Sequence, residues 1–103
     1  MTTRPYFEIE ESQGGAPITL SLRGELDMGS TRILDDRLTR LRAKKRAVVL
    51  DLAELQFIDS TGLHLLVRVM ADARTDGWSL SIAPEVSPTV RRLFALVHFN
   101  PFR

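Results

Sequence analysis

The amino-acid sequence predicts a mixed α/β fold with a mostly parallel sheet, an N-terminal antiparallel hairpin and crossover helices. Three features predict it. A stretch of strict polar and apolar alternation opens the chain, helical spacing replaces it, and a nearly continuous apolar run then begins a second round of strand and helix. Strands that alternate with helices pair in parallel through right-handed crossovers. The chain has 103 residues, 44% of them hydrophobic, which suits one compact domain and leaves no room for a second.

The first strand is read from "YFEIEE" (Tyr6 to Glu11) and the second from "PITLSLRG". In the second, Ile18, Leu20 and Leu22 fall on one side and Thr19, Ser21 and Arg23 on the other. "SQGGAP" between them is rich in turn formers, so the pair reads as an antiparallel hairpin. The period then changes: Ile33, Leu34, Leu38 and Leu41 recur at helical spacing beside polar Asp35, Asp36, Arg37 and Arg40, with Ser30 or Thr31 placed to cap. "RAVVLDLAELQFI" carries Val48, Val49, Leu50 and Leu52 almost without interruption, the pattern of a central strand covered on both faces. A second helix is predicted from Thr61 to about Thr75, with Leu63, Leu66, Val67 and Met70 on one face and Gly77 as its stop. "WSLSIA" reads as a last strand, and Ser87 with Pro88 opens a short helix carrying Val90, Leu93, Phe94 and Val97.

Charge and composition exclude several classes of function. Fourteen Lys and Arg against thirteen Asp and Glu leave a formal charge of +1, so the electrostatics argue for no direct nucleic-acid surface. There is no cysteine, and His64 and His98 are the only histidines, a poor inventory for a metal. The N-terminal "MTTRPYFEIEE" has no apolar signal core, and every apolar run falls short of the roughly 20 residues needed to cross a bilayer. The expectation is a cytoplasmic protein that binds no metal or cofactor and inserts in no membrane.

Chemistry concentrates in "FIDSTGLHLL", Phe57 to Leu66, where the central strand turns into the second helix. Loops beyond the carboxyl ends of parallel strands are where sites form in open sheets. Ser60 at this point can cap the helix, as can Asp59, and Gly62 lets the turn approach closely without a side chain. The same free N–H groups and helix dipole also stabilise a phosphate. The turn lacks the spacing and the lysine of a nucleotide-binding P-loop, whereas covalent phosphorylation needs only an accessible hydroxyl. Ser60 is the first candidate acceptor and Thr61 the second. Asp27 is either a turn residue before the first helix or a recognition group at the same surface, and Glu25 is expected to face solvent. A G-x-S-x-G elbow is absent and no acid is placed to orient His64 as a base, so the chain is not expected to be an enzyme.

"RGELDMGSTRILDDRL", then "VVLDLAELQFIDSTGLHLLV", then "SPTVRRLFALV" together resemble the anti-sigma-factor antagonists of the STAS family, over Tyr6 to Phe99. The resemblance implies a single STAS domain spanning residues 1–103, with Ser60 as phosphoacceptor and an anti-sigma factor serine/threonine kinase as partner. It further implies that the unphosphorylated chain captures the kinase, that phosphorylation ends the capture, and that sigma-factor-dependent transcription is thereby regulated. Asp27, Asp59, Thr61, Gly62, His64, Leu65 and Arg68 would form the contact surface. ATP and the catalytic groups would belong to the kinase. The alternative is a non-switching STAS adaptor, such as a subunit of a lipid-transport ABC system or a stress-signalling scaffold. Two features depart from the antagonists. Positions 64 and 68 are commonly small in them, whereas here His64, Arg68 and Asp72 form a polar stripe, either solvated or altered for a different partner. The chain also closes on "VHFNPFR", where Phe99 and Phe102 either mark a contact surface or pack back on the core.

Overall fold

A computed structural model describes residues 6–102. The elements follow the order β1 (Phe7–Glu11), β2 (Ile18–Leu26), α1 (Thr31–Ala43), β3 (Val48–Ile58), α2 (Ser60–Asp76), β4 (Leu80–Ile82) and α3 (Pro88–Leu96). They build one four-stranded sheet in the order β1-β2-β3-β4. β1 and β2 pair antiparallel, with Ile9 opposite Leu22, while β2 with β3 and β3 with β4 pair in parallel. The predicted hairpin, parallel sheet and crossover helices are therefore present.

β2 alternates without a break: Ile18, Leu20, Leu22, Gly24 and Leu26 are buried, and the residues between them are half-exposed. β3 keeps pace only by bulging. Its buried positions run Val48, Leu50, Leu52 and then Leu55 and Ile58, because register shifts at Ser21/Arg23 and Gly24/Glu25 each insert one extra residue of β3 against β2. These bulges return each apolar side chain to the face where the core lies. They also correct the expectation that β3 is covered on both faces, since Val49 and Asp51 are half-exposed and Phe57 is exposed.

Leu34, Leu38 and Leu41 bury the inner face of α1, whereas Ile33 is exposed. On α2 the buried residues are Gly62, Leu65, Leu66, Val69 and Ala73, so the helix is rotated from the predicted face: Leu63 and Met70 lie at its margin and Val67 is exposed. Gly77 ends α2 in the left-handed conformation, φ 70°, as its position predicts. Ser87 caps α3 by accepting from Val90 N–H, and its hydroxyl donates to Leu55 C=O at 2.6 Å, which fixes α3 to the bulged half of β3. Val90 and Phe94 are buried, but Val97 lies beyond the helix and is exposed. Of the terminal aromatics, Phe99 packs edge-on against Phe94 at 5.0 Å between ring centres, and Phe102 lies 6.5 Å from the same ring. Phe99 folds back on the core, whereas Phe102 stays exposed beside it.

Candidate functional site

The site forms where β3 ends and α2 begins, beside the turn that links β2 to α1. Asp59 is the N-cap: its backbone is extended, and its Oδ1 accepts from Gly62 N–H at 2.9 Å. Its Oδ2 accepts from Met28 N–H at 3.1 Å, so one carboxylate joins the two turns. Asp59 N–H donates to Leu26 C=O, at 3.2 Å. Asp59 thus supplies the side-chain cap without the neighbouring serine. Replacing Asp59 with alanine strands both N–H groups and is expected to lower unfolding free energy by about 1–2 kcal/mol. Asn keeps an acceptor for Gly62 N–H but turns an NH2 donor toward Met28 N–H, so it is expected to recover only part of that loss, which urea denaturation of the two variants measures.

Ser60 is the first residue of α2 and is exposed, as is Thr61 after it. Gly62 and Leu63 N–H are bonded to Asp59, while the N–H groups of Ser60 and Thr61 make no hydrogen bond among the described residues. The hydroxyl of Ser60 therefore stands at the positive end of the helix dipole with uncommitted donors beside it. This arrangement accommodates an anion on the hydroxyl and leaves the approach from solvent open.

Gly62 is the floor of the turn. A Cβ at this position would lie 2.4 Å from Leu26 C=O and 2.9 Å from side-chain carbons of Leu26 and Ile58. Its missing side chain is what lets α2 start against the end of β2. Leu65 is 5% exposed and belongs to the core, and what it offers the surface is a share of the groove wall between α1 and α2. Burial on α2 gives the physical reason: Leu65 shares the inward face with Leu66, Val69 and Ala73.

Asp27 is half-buried and engaged in its own turn, where its Oδ1 accepts from Gly29 N–H at 3.0 Å. Ser30 is 5% exposed and occupies the N-cap position of α1, yet it makes no side-chain cap. Its hydroxyl instead donates to Glu25 C=O at 2.7 Å and accepts from Asp27 N–H at 2.9 Å, lying 3.1 Å from Asp27 Oδ1. The expected serine cap is corrected to a brace for the turn that Asp59 holds from the other side. Glu25 is half-exposed.

His64 and Arg68 are exposed on the next turns of α2. Arg68 is engaged: its guanidinium lies 3.0 Å from Asp35 of α1 and 3.6 Å from Asp72. At these exposures the bridge contributes little stability, but it orients the side chain. Together with Thr31, Arg32, Asp36, Thr61 and Leu65, the side chains of Asp35, His64 and Arg68 line an open groove of about 440 Å³ between α1 and α2. Sequence reasoning missed the brace of Ser30, the Met28 N–H link and the pairing of Arg68 across helices. Only Ser30 carried a signal, the Asp27-x-x-Ser30 spacing of a turn closed on itself.

Among the described residues no group of His, Cys, Asp and Glu is placed to hold a metal ion, and no helix is long and apolar enough to cross a membrane.

A family model described as "Mlab, STAS domain" matches residues 9–101. A STAS-domain containing protein of Pseudomonas aeruginosa is 28% identical over 86% of this chain and 87% of its own. Osmosensory protein A of Mycobacterium tuberculosis is 30% identical over 84% of this chain, which spans 61% of that protein's length. Among solved structures, an anti-sigma factor antagonist from Mycobacterium paratuberculosis superposes with a TM-score of 0.74 at 20% identity, covering 95% of this chain and 83% of that one. The Bacillus cell fate determinant SpoIIAA in its phosphorylated form superposes at 0.69 with 20% identity, covering 94% and 87%. The same antagonist in its unphosphorylated form gives 0.68 at 21%, covering 94% and 86%.

Proposed function

The chain belongs to the STAS domain family, and from that membership we propose that it is an anti-sigma-factor antagonist switched by phosphorylation of Ser60. In this reading the unphosphorylated protein binds an anti-sigma factor serine/threonine kinase in the cytoplasm. The kinase then phosphorylates Ser60 and releases it, and the capture and release regulate sigma-factor-dependent transcription. The chain contributes a docking surface and a hydroxyl, and the partner contributes ATP and catalysis.

The observation that carries the proposal is the division of labour between Asp59 and Ser60. Asp59 supplies the cap, so the exposed hydroxyl of Ser60 has no structural duty that its modification would cancel. A phosphoryl group adds about −1.5 to −2 charges and three acceptor oxygens at pH 7. At a helix start that charge is tolerated by the fold, while in a docked interface next to Asp59 it is repelled or must be desolvated. The similarity to SpoIIAA in both its unphosphorylated and phosphorylated forms supports a fold that persists through the change. Asp27, Asp59, Thr61, His64 and Arg68 border the proposed docking surface, and Gly62 shapes it from beneath.

A second reading retains the fold without the switch, as an adaptor subunit of a lipid-transport ABC system or a signalling scaffold. The family description, which names Mlab rather than an antagonist, favours it. Incubation with anti-sigma-factor kinases of the source organism and ATP, followed by intact-mass measurement, separates the two. The switch predicts a gain of one phosphoryl group in the wild type and none in Ser60→Ala. A gain in both moves the acceptor to Thr61, and no gain with any cognate kinase favours the adaptor.

A further inference from the structure

We propose that His64 is the intramolecular counter-cation of a phosphate on Ser60. The proposal rests on the phosphoacceptor reading above and adds a regulatory residue to it. Ser60 and His64 are four residues apart on α2 and both are exposed. Such positions are neighbours on a helix surface, with Cβ atoms about 5–6 Å apart, and an anion placed N-terminal to a cation is the favourable order. The buried set Gly62, Leu65, Leu66, Val69 and Ala73 occupies the opposite side, so Ser60 and His64 share the outward face.

The other charges around His64 leave it this role. On α2, Arg68 is held by Asp35 and Asp72, and the Asp59 carboxylate is turned onto the N–H groups of Gly62 and Met28. From α1, Arg32, Asp35 and Asp36 line the groove that His64 also borders. Among the described residues His64 has no ion pair of its own, and it stands one helical turn from the acceptor hydroxyl.

A phosphoserine takes up its second negative charge near neutral pH, where a neighbouring cation has the most effect on it. A protonated His64 stabilises the phosphate dianion and draws the second ionisation of the phosphate to lower pH.

The test needs no kinase, because phosphoserine can be incorporated at position 60 by an expanded genetic code and followed by 31P NMR as pH is varied. The midpoint of the second phosphate ionisation is expected about 0.3 pH lower in the otherwise wild-type chain than in His64→Gln, with His64→Lys restoring or exceeding the lowering. Equal midpoints in the wild type and His64→Gln overturn the proposal, and a midpoint that rises in Arg32→Gln but not in His64→Gln assigns the counter-cation to Arg32 and overturns it too. If the midpoints differ as expected and yet no kinase modifies Ser60, the counter-ion stands and the switching function falls, so the two failures are told apart.

Discussion

Gly62→Ala is expected to destabilise the protein by about 2 kcal/mol, although alanine is the better helix former by nearly 1 kcal/mol. The conflict is decided by what the new methyl group meets. Its nearest neighbour, at 2.4 Å, is a backbone carbonyl rather than a flexible side chain, and that carbonyl of Leu26 already accepts from Asp59 N–H. Moving it pulls on the bond that seats α2 on β2. For a domain of this size the loss corresponds to a fall in Tm of roughly 8–16 °C. Gly15→Ala is the matching control, since nothing lies within 4 Å of a Cβ there, and its Tm is expected to stay within a degree or two of the wild type. Thermal unfolding of both variants checks the prediction, and an unchanged Tm for Gly62→Ala would show that the close approach of the two elements is not required.

Ser60→Asp is expected to weaken capture of the kinase at least tenfold while leaving the fold intact or slightly more stable. A carboxylate in the first turn of a helix gains about 0.3–1 kcal/mol from the dipole. The same charge beside Asp59 in a docked interface adds like-charge repulsion and a desolvation cost, and misplaced charges of this kind cost several kcal/mol. Ser60→Ala carries neither effect and is expected to bind as the wild type does. Titration calorimetry of the three proteins with the purified kinase reads the difference. Equal affinities for Ser60→Asp and wild type, with binding lost in Ser60→Ala, would mean that the hydroxyl is a contact group and not a switch.

Much of this architecture is legible in the sequence because its signals are local. The hairpin follows from the alternation after Pro17, α3 from the Ser87-Pro88 start, and the end of α2 from Gly77. The parts that could not be read depend on contacts between distant segments. α2 is apolar around most of its circumference, with Leu63, Leu65, Leu66, Val67, Val69 and Met70 in close succession, so periodicity alone does not choose a face. The face is chosen by Gly62 seating on Leu26, a contact between residues far apart in the chain. That rotation turns Leu65 inward and Val67 outward. In β3 the run Val48 to Leu52 resembles a strand buried on both sides, and only the bulges against β2 reveal one covered face. Within the site, an acid followed by two hydroxyls indicates a helix start without saying which side chain caps it. Asp59 wins because its two carboxylate oxygens serve two turns at once, which a single hydroxyl oxygen does not.

The sharpest measurement compares the protein phosphorylated at Ser60 with its unmodified form in two assays run side by side, thermal unfolding and affinity for the kinase. The account predicts Tm values within about 2 °C of each other and an affinity reduced tenfold or more. An affinity unchanged by the phosphate would contradict it, and so would a loss of binding accompanied by a collapse in Tm, because release would then come from unfolding instead of from a charge that the helix start accepts and the partner does not.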